Sequence, residues 1–298
     1  VIWFDQIVQG VLLGGYYALL ACGLSFMFGV MRIINLAHGS IAILSAFLVV
    51  TIANQWNLSP FIALLIVLPI MAIAGWLLQR GIIDRSLRYG ELTPLLSTFG
   101  LAIVIDNVLF KTFGADTRSL APNVGDFAFN SWTVGSLTIG QLALVTFVVA
   151  VALLGGLQLF LHRTAFGRAI RATAQDPDTA ELVGIDARAV YAGAAAIALM
   201  TVAIAGTFLG LRTSFDPYAG GTQLIFAFEA VVIGGTGSLW GTLLGGIVLG
   251  VAQNIGSQLN PEGFLIGGHL VFLIVLAVRL VLAARERGAL RGLRRAAA

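Results

Sequence analysis

The sequence predicts an all-α, polytopic membrane helical bundle of about eight apolar segments, at least one of them broken or re-entrant (225–252). Three observations predict it. Hydrophobic residues make up 58% of the 298 and charged residues only 10%, where a soluble domain carries about 25% charged. Apolar runs of spanning length, about 20 residues, recur along the chain. The arginines gather in stretches between those runs. Residues 1–298 are read as one transmembrane domain, with a cytoplasmic loop at 162–189 and a basic cytoplasmic tail at 283–298. The opening "VIWFDQIVQG" lacks the basic start of a cleavable signal, so it reads as the beginning of the first membrane helix.

The candidate spans are 7–29, 33–53, 60–79, 92–110, 138–161, 190–211, 225–252 and 264–282. Three basic stretches separate or follow them: Arg80, Arg85 and Arg88; Arg163, Arg168, Arg171 and Arg188; and Arg285, Arg287, Arg291, Arg294 and Arg295. The positive-inside rule puts all three in the cytoplasm. The polar stretches 111–137 and 212–223 then read as external. Trp56, Trp76, Trp132 and Trp240 read as interface anchors or packing residues.

Counting crossings from loop 162–189 exposes a conflict. If 225–252 were one crossing, the arginine-rich tail would be external. The conflict disappears if 225–252 enters and returns to the side it came from. Its sequence allows this, because Gly234, Gly235, Gly237 and Ser238 interrupt the apolar run "EAVVIGGTGSLWGTLLGG", and glycine is a poor helix-interior residue. Irregular backbone at membrane depth persists only where protein or a wet cavity surrounds it.

"INLAHGS" at 33–39 reads as a similar break. Gly39 is expected to free the backbone from helical dihedrals. Asn35 and His38 can pair the carbonyls and amides that a break exposes. Two readings stay open for them: lining of a substrate pathway, or ties between neighbouring helices. Whether 33–53 crosses or re-enters also stays open, and with it the side of the N-terminus. Two broken segments, one in each half, fit a transporter with its pathway near the breaks. Glu229 and Asp106 are carboxylates placed within apolar segments, which by default marks a functional site. Both lie toward segment ends, so interfacial water is the plainer alternative.

Loop 162–189 carries a capped helix. Asp176 suits the N-cap and Pro177 the first helical position; Asp178 and Glu181 favour the positive end, and Gly184 suits the residue past the end. Ala180, Leu182 and Val183 give it a modest apolar surface, and the preceding "GRAIRATA" carries Arg168 and Arg171. An ordinary surface helix is one reading; a docking element for a cytoplasmic partner is the other.

No cluster of His, Cys, Asp or Glu has metal-ligand spacing, and the single Cys22 excludes an intrachain disulfide. No catalysis and no cofactor are expected, and a net charge of +3 is no sign of nucleic-acid binding.

Four stretches carry a family resemblance: "GGYYALLACGLSFMFGVMRIINLAHGS", "FGRAIRATAQDPDTAELVGID", "IAGTFLG" and "FEAVVIGGTGSLWGTLLGGIVLG". The chain resembles permease subunits of the branched-chain amino-acid ABC importers (LivH-type) of bacterial inner membranes. The resemblance implies a second, similar permease subunit, two cytoplasmic ATPase subunits and a periplasmic or extracellular substrate-binding protein. It implies that 167–184 is the ATPase-coupling segment, carried by Gly167, Arg168, Arg171, Asp176, Pro177, Ala180, Glu181, Leu182 and Gly184. ATP would be bound by the partners, and no G-x-x-x-x-G-K-[ST] loop occurs here. A pathway near the breaks would involve Asn35, His38, Gly39, Glu229, Gly234, Gly235 and Gly237. Glu229 departs from the neutral residue that many relatives carry, which leaves other amino acids, urea or short amides as alternative substrates. The competing class is an ion- or proton-coupled secondary transporter or channel. That class needs intramembrane titratable groups, and these are sparse here.

Overall fold

The computed structural model describes residues 2–296 except 91, 136 and 261, with backbone only for 2, 134 and 283–296. Eight helices are long and apolar enough to cross a membrane, and the short apolar helix Gly220–Gly234 accompanies them. The chain runs α1 (Ile2–Met31), α2 (His38–Trp56), α3 (Pro60–Leu78), α4 (Asp84–Ser86), α5 (Thr93–Phe113), β1 (Ser131–Val134), β2 (Leu137–Gly140), α6 (Gln141–Arg163), α7 (Ala165–Gln175), α8 (Pro177–Leu182), α9 (Ala187–Arg212), α10 (Gly220–Gly234), α11 (Leu239–Leu259) and α12 (Gly263–Ala296).

α1 is the central rod. It is apolar nearly all round and buried along most of its length, as expected of a helix with neighbours on every side. α11 runs antiparallel to it at backbone contact. A Cβ on Gly14 would sit 2.4 Å from the Cα of Ile247, and one on Gly250 would sit 2.3 Å from the carbonyl of Gly10. Small residues make that approach possible, which is how helices gain packing where lipid removes the hydrophobic drive. α9 and α2 complete the core, with the carbonyl of Ala42 against Gly206. α3, α5, α6 and α12 are mostly outward-facing. Ser59 caps α3 and Pro60 occupies its first turn.

Two ends of the bundle follow from cross-chain contacts. At one end, Arg118 and Phe215 form a β-bridge that joins the two stretches expected to be external. The antiparallel ribbon β1–β2 lies there too, and Gln9 donates to the carbonyl of Thr138. At the other end, Gly29 meets Gly237, and the α7 residues Ile170, Arg171 and Ala174 share a cavity with both. The 80–90 turn and loop 164–186 lie at this end, and α12 runs back to it. By the positive-inside rule this is the end expected to be cytoplasmic, and it is called so below. Among the described cationic side chains, only Lys111, Arg118 and Arg212 lie opposite. The side chains of Arg285, Arg287, Arg291, Arg294 and Arg295 lie outside the described residues; their backbone continues α12.

The start of α1 therefore shares the outer end with the β1–β2 ribbon. α1 descends, 32–37 turns back without helical structure, and α2 climbs to the outer end. Residues 225–252 are not one crossing. α10 and α11 form an antiparallel pair, since a Cβ on Gly234 would meet the carbonyl of Gly241 at 1.9 Å and one on Gly245 the carbonyl of Ala230 at 2.1 Å. The turn between them reaches the cytoplasmic end and does not stop at mid-depth, because Gly237 packs on Gly29 near the foot of α1. A further break went unforeseen: 213–219 dips inward from α9, so that α10 starts beside the start of α2.

Candidate translocation pathway and coupling site

The break at 32–37 is sealed by side chains. The sharp turn is made at Arg32, with φ of 55°. The carboxamide oxygen of Asn35 accepts from the N–H of Ala37 at 3.0 Å, and the N–H of Leu36 donates to the Thr98 hydroxyl of α5 at 3.1 Å. Nε2 of His38 lies 2.8 Å from the carbonyl of Leu20, in the middle of α1. A carbonyl only accepts, so the ring carries its proton on Nε2. Asn35 and His38 are wholly buried. Their remaining polar atoms, Nδ2 of Asn35 and Nδ1 of His38, have no protein partner among the described residues.

Gly39 does not serve as expected. It lies inside α2 with helical dihedrals, and its missing side chain is what matters: a Cβ would fall 1.9 Å from the carbonyl of Gly220. The first turns of α2 and α10 thus meet backbone to backbone. Neither has a side-chain cap.

Glu229 lies on α10 with its side chain 3% exposed. Its Oε1 is 2.5 Å from Nδ1 of His269 on α12, a ring that is 44% exposed. His269 was missed by the sequence reading. An isolated His in an apolar helix carries no local signal, and only the pairing of α10 with α12 brings it to Glu229. The buried hydroxyl of Tyr17 donates to Oε1 of Gln253 on α11. Asp106 is half-buried on α5, without such a partner for its Oδ1 among the described residues.

Gly234, Gly235 and Gly237 belong to the cytoplasmic turn. Gly235 and Gly237 have φ of 101° and 82°, a backbone that favours glycine. Ser238 closes the turn by accepting from the N–H of Gly241 at 3.1 Å, capping α11. Arg279 of α12 donates to the carbonyl of Ile233 at 3.0 Å, covering the end of α10.

The segment that the resemblance marks for coupling is two helices, α7 and α8. Thr164 caps α7 by accepting from the N–H of Gly167 at 2.9 Å. A Cβ at Gly167 would lie 2.4 Å from the carbonyl of Phe160, so glycine fixes the sharp α6–α7 corner. Asp176 caps α8 through the N–H groups of Asp178 and Thr179 and accepts the Thr179 hydroxyl at 2.6 Å. That hydroxyl, with the two amides, holds its carboxyl below the usual carboxylate range. Pro177 begins the helix. Gly184, at φ of 86°, ends it: its N–H donates to Glu181 and that of Ile185 to Ala180, the paired bonds of a Schellman close. Ala180 faces inward at 3% exposure, whereas Leu182 and Val183 are 87% and 72% exposed. Glu181, Arg168 and Arg171 are exposed as well. Behind α7, a cavity of about 230 Å³ joins Ile170 and Arg171 to Gly29, Gly237 and Leu239.

Residues 6–283 match the family model described as "Branched-chain amino acid transport system / permease component". The high-affinity branched-chain amino acid transport system permease protein BraD of Pseudomonas aeruginosa is 29% identical over 92% of this chain and 93% of its own length. Its counterpart LivH of Salmonella typhimurium is 33% identical, over 93% of each. A probable LivH permease of Methanocaldococcus jannaschii is 26% identical, over 93% of this chain and 90% of its own. The chain belongs to this family of branched-chain amino acid transport permease components, and is a multi-pass inner-membrane transport protein.

Proposed function

We propose that this chain is the translocation subunit of an ATP-driven, binding-protein-dependent importer of branched-chain amino acids. In that assembly it pairs with a second homologous permease subunit, two cytoplasmic ATPase subunits and an external substrate-binding protein. The relatives' names support the substrate class. One observation carries the coupling role: α8 is capped at both ends and presents Leu182 and Val183 to solvent at the cytoplasmic end. Two exposed apolar side chains on a rigid projecting turn fit a hydrophobic groove on an ATPase.

The proposed pathway runs beside the start of α2 and α10. Asn35, His38, Gly39 and Glu229 form its packed wall in this closed arrangement. Gly234, Gly235 and Gly237 form the turn at its cytoplasmic end, next to the coupling segment. α7 packs directly on α1 and borders this turn across the 230 Å³ cavity, so docking energy at α8 biases one arrangement of α10 over another.

The test is uptake by proteoliposomes containing the whole complex. Leucine, isoleucine and valine should enter only with ATP and the binding protein, ahead of urea, short amides and glutamate. Uptake driven by an ion or proton gradient without ATP would favour the secondary-transporter reading instead.

A further inference from the structure

We propose that the outer end of α2 carries a subsite for a zwitterionic, apolar amino acid, with Arg118 binding its carboxylate; the proposal rests on the amino-acid importer reading above. A cavity of about 350 Å³ opens there, lined by Phe47, Val50, Thr51, Gln55, Phe113 and Arg118 among others. That volume falls in the range of small-molecule sites, roughly 300–1,000 Å³.

Three features fit one ligand chemistry. The backbone of Arg118 is fixed in place, its N–H donating to Phe215 at 2.8 Å and its carbonyl accepting from Phe215 at 2.9 Å, while its side chain is exposed at the cavity. Its guanidinium makes no ion pair among the described residues, although Asp116 is two residues away. Such a group is a ready bidentate partner for a carboxylate. The floor is apolar and rigid: Phe47 and Phe113 stack with centroids 4.6 Å apart, and Phe215 meets Phe47 edge-on at 5.0 Å. A branched aliphatic side chain gains its transfer energy on such a surface. α2 ends at this cavity. Gln55, near that end, lines the cavity, and its carboxamide oxygen can accept from an ammonium group. The Arg118 cation, the Gln55 carboxamide and the aromatic floor together suit a zwitterion with an apolar side chain. Urea or a short amide satisfies none of the charge requirements.

The subsite lies at the end opposite the basic loops, where solute released outside the membrane first meets the permease. Thr51 reports on it, because its side chain lines the cavity and its hydroxyl bonds only to its own helix, at Phe47.

The experiment uses the full complex in proteoliposomes, with Cys22 replaced by alanine and Thr51→Cys as the reporter. Labelling from outside by a small water-soluble maleimide is timed with free leucine, with leucine methyl ester and with isoamylamine. Leucine at about ten times its dissociation constant should slow labelling about tenfold. The two analogues lack the carboxylate and should not. Arg118→Gln should raise the leucine concentration for half-protection about tenfold or more, and Arg118→Lys less. Val50→Cys repeats the measurement if Thr51→Cys assembles poorly. Labelling indifferent to leucine, in a complex that imports leucine, overturns the subsite alone. Equal protection by the ester also overturns it. Failure of the parent complex to import leucine overturns the function reading and the subsite with it.

Discussion

The break at 32–37 and the turn at 235–238 both interrupt apolar sequence, yet they are built oppositely. The first runs from the exposed Arg32 into the buried Asn35 and Ala37 and contains no glycine. Two of its amides are paired by side chains, Ala37 with Asn35 and Leu36 with Thr98, and the His38 ring just beyond it ties α2 to Leu20 of α1. The second sits at the cytoplasmic end, uses Gly235 and Gly237 at positive φ, and is closed by the exposed Ser238. The difference teaches where each resource is needed. Where the backbone is buried no water can satisfy a freed amide, so side chains must. At the cytoplasmic end, water can serve the backbone, and only the dihedrals are demanding.

The largest effect should come from Gly39→Ala. The new methyl would overlap the Gly220 carbonyl, a backbone atom that cannot step aside, at a cost beyond the usual 1–3 kcal/mol of overpacking. Loss of folded complex on size exclusion is the expected result. At the turn, Gly235→Ala meets only the flexible end of Arg279, 3.5 Å away. It should cost only backbone strain, about 1–3 kcal/mol, with the complex still recovered. Equal recovery of the two variants would break the comparison.

Asn35→Leu comes next. It strands a buried N–H at Ala37, an expected loss of about 1–3 kcal/mol, read as a lower thermal midpoint of the purified complex. Ser238→Ala removes a cap that water can replace, so about 1 kcal/mol or less is expected. A larger fall for Ser238→Ala than for Asn35→Leu would invert the argument from burial.

The smallest effect is that of pH on α8. Asp176 is held below the usual carboxylate range. Its capping is therefore fully present above that range, near pH 3.9, and is lost as pH falls through the lowered value. Hydrogen exchange of the 177–183 segment, corrected for intrinsic rate, should stay constant from pH 7 to about pH 5. Loss of protection between pH 7 and 5 would show that another group holds the helix.

Much of this was legible because the membrane writes strong signals. Spanning length, three basic stretches and the parity of crossings placed the helices and required the α10–α11 pair. α8 could be read in detail because caps are local chemistry: Asp176, Pro177 and Gly184 act on neighbours a few residues away. What failed was long-range. Gly39 was assigned dihedral freedom, when its role is contact with Gly220, 181 positions along. His269, the dip at 213–219 and the left-handed Arg32 leave no periodic trace. Ala180 and Leu182 look alike in a string, and only packing against the chain's own helices separates the buried residue from the exposed one.

That separation permits the most direct test of the coupling claim. Leu182→Asp changes a side chain that touches little of its own chain, so the permease should insert and fold as before. The account predicts that its complex loses ATPase co-purification and ATP-driven leucine uptake together, while Leu182→Met retains both. Full uptake and normal ATPase association in Leu182→Asp would contradict it.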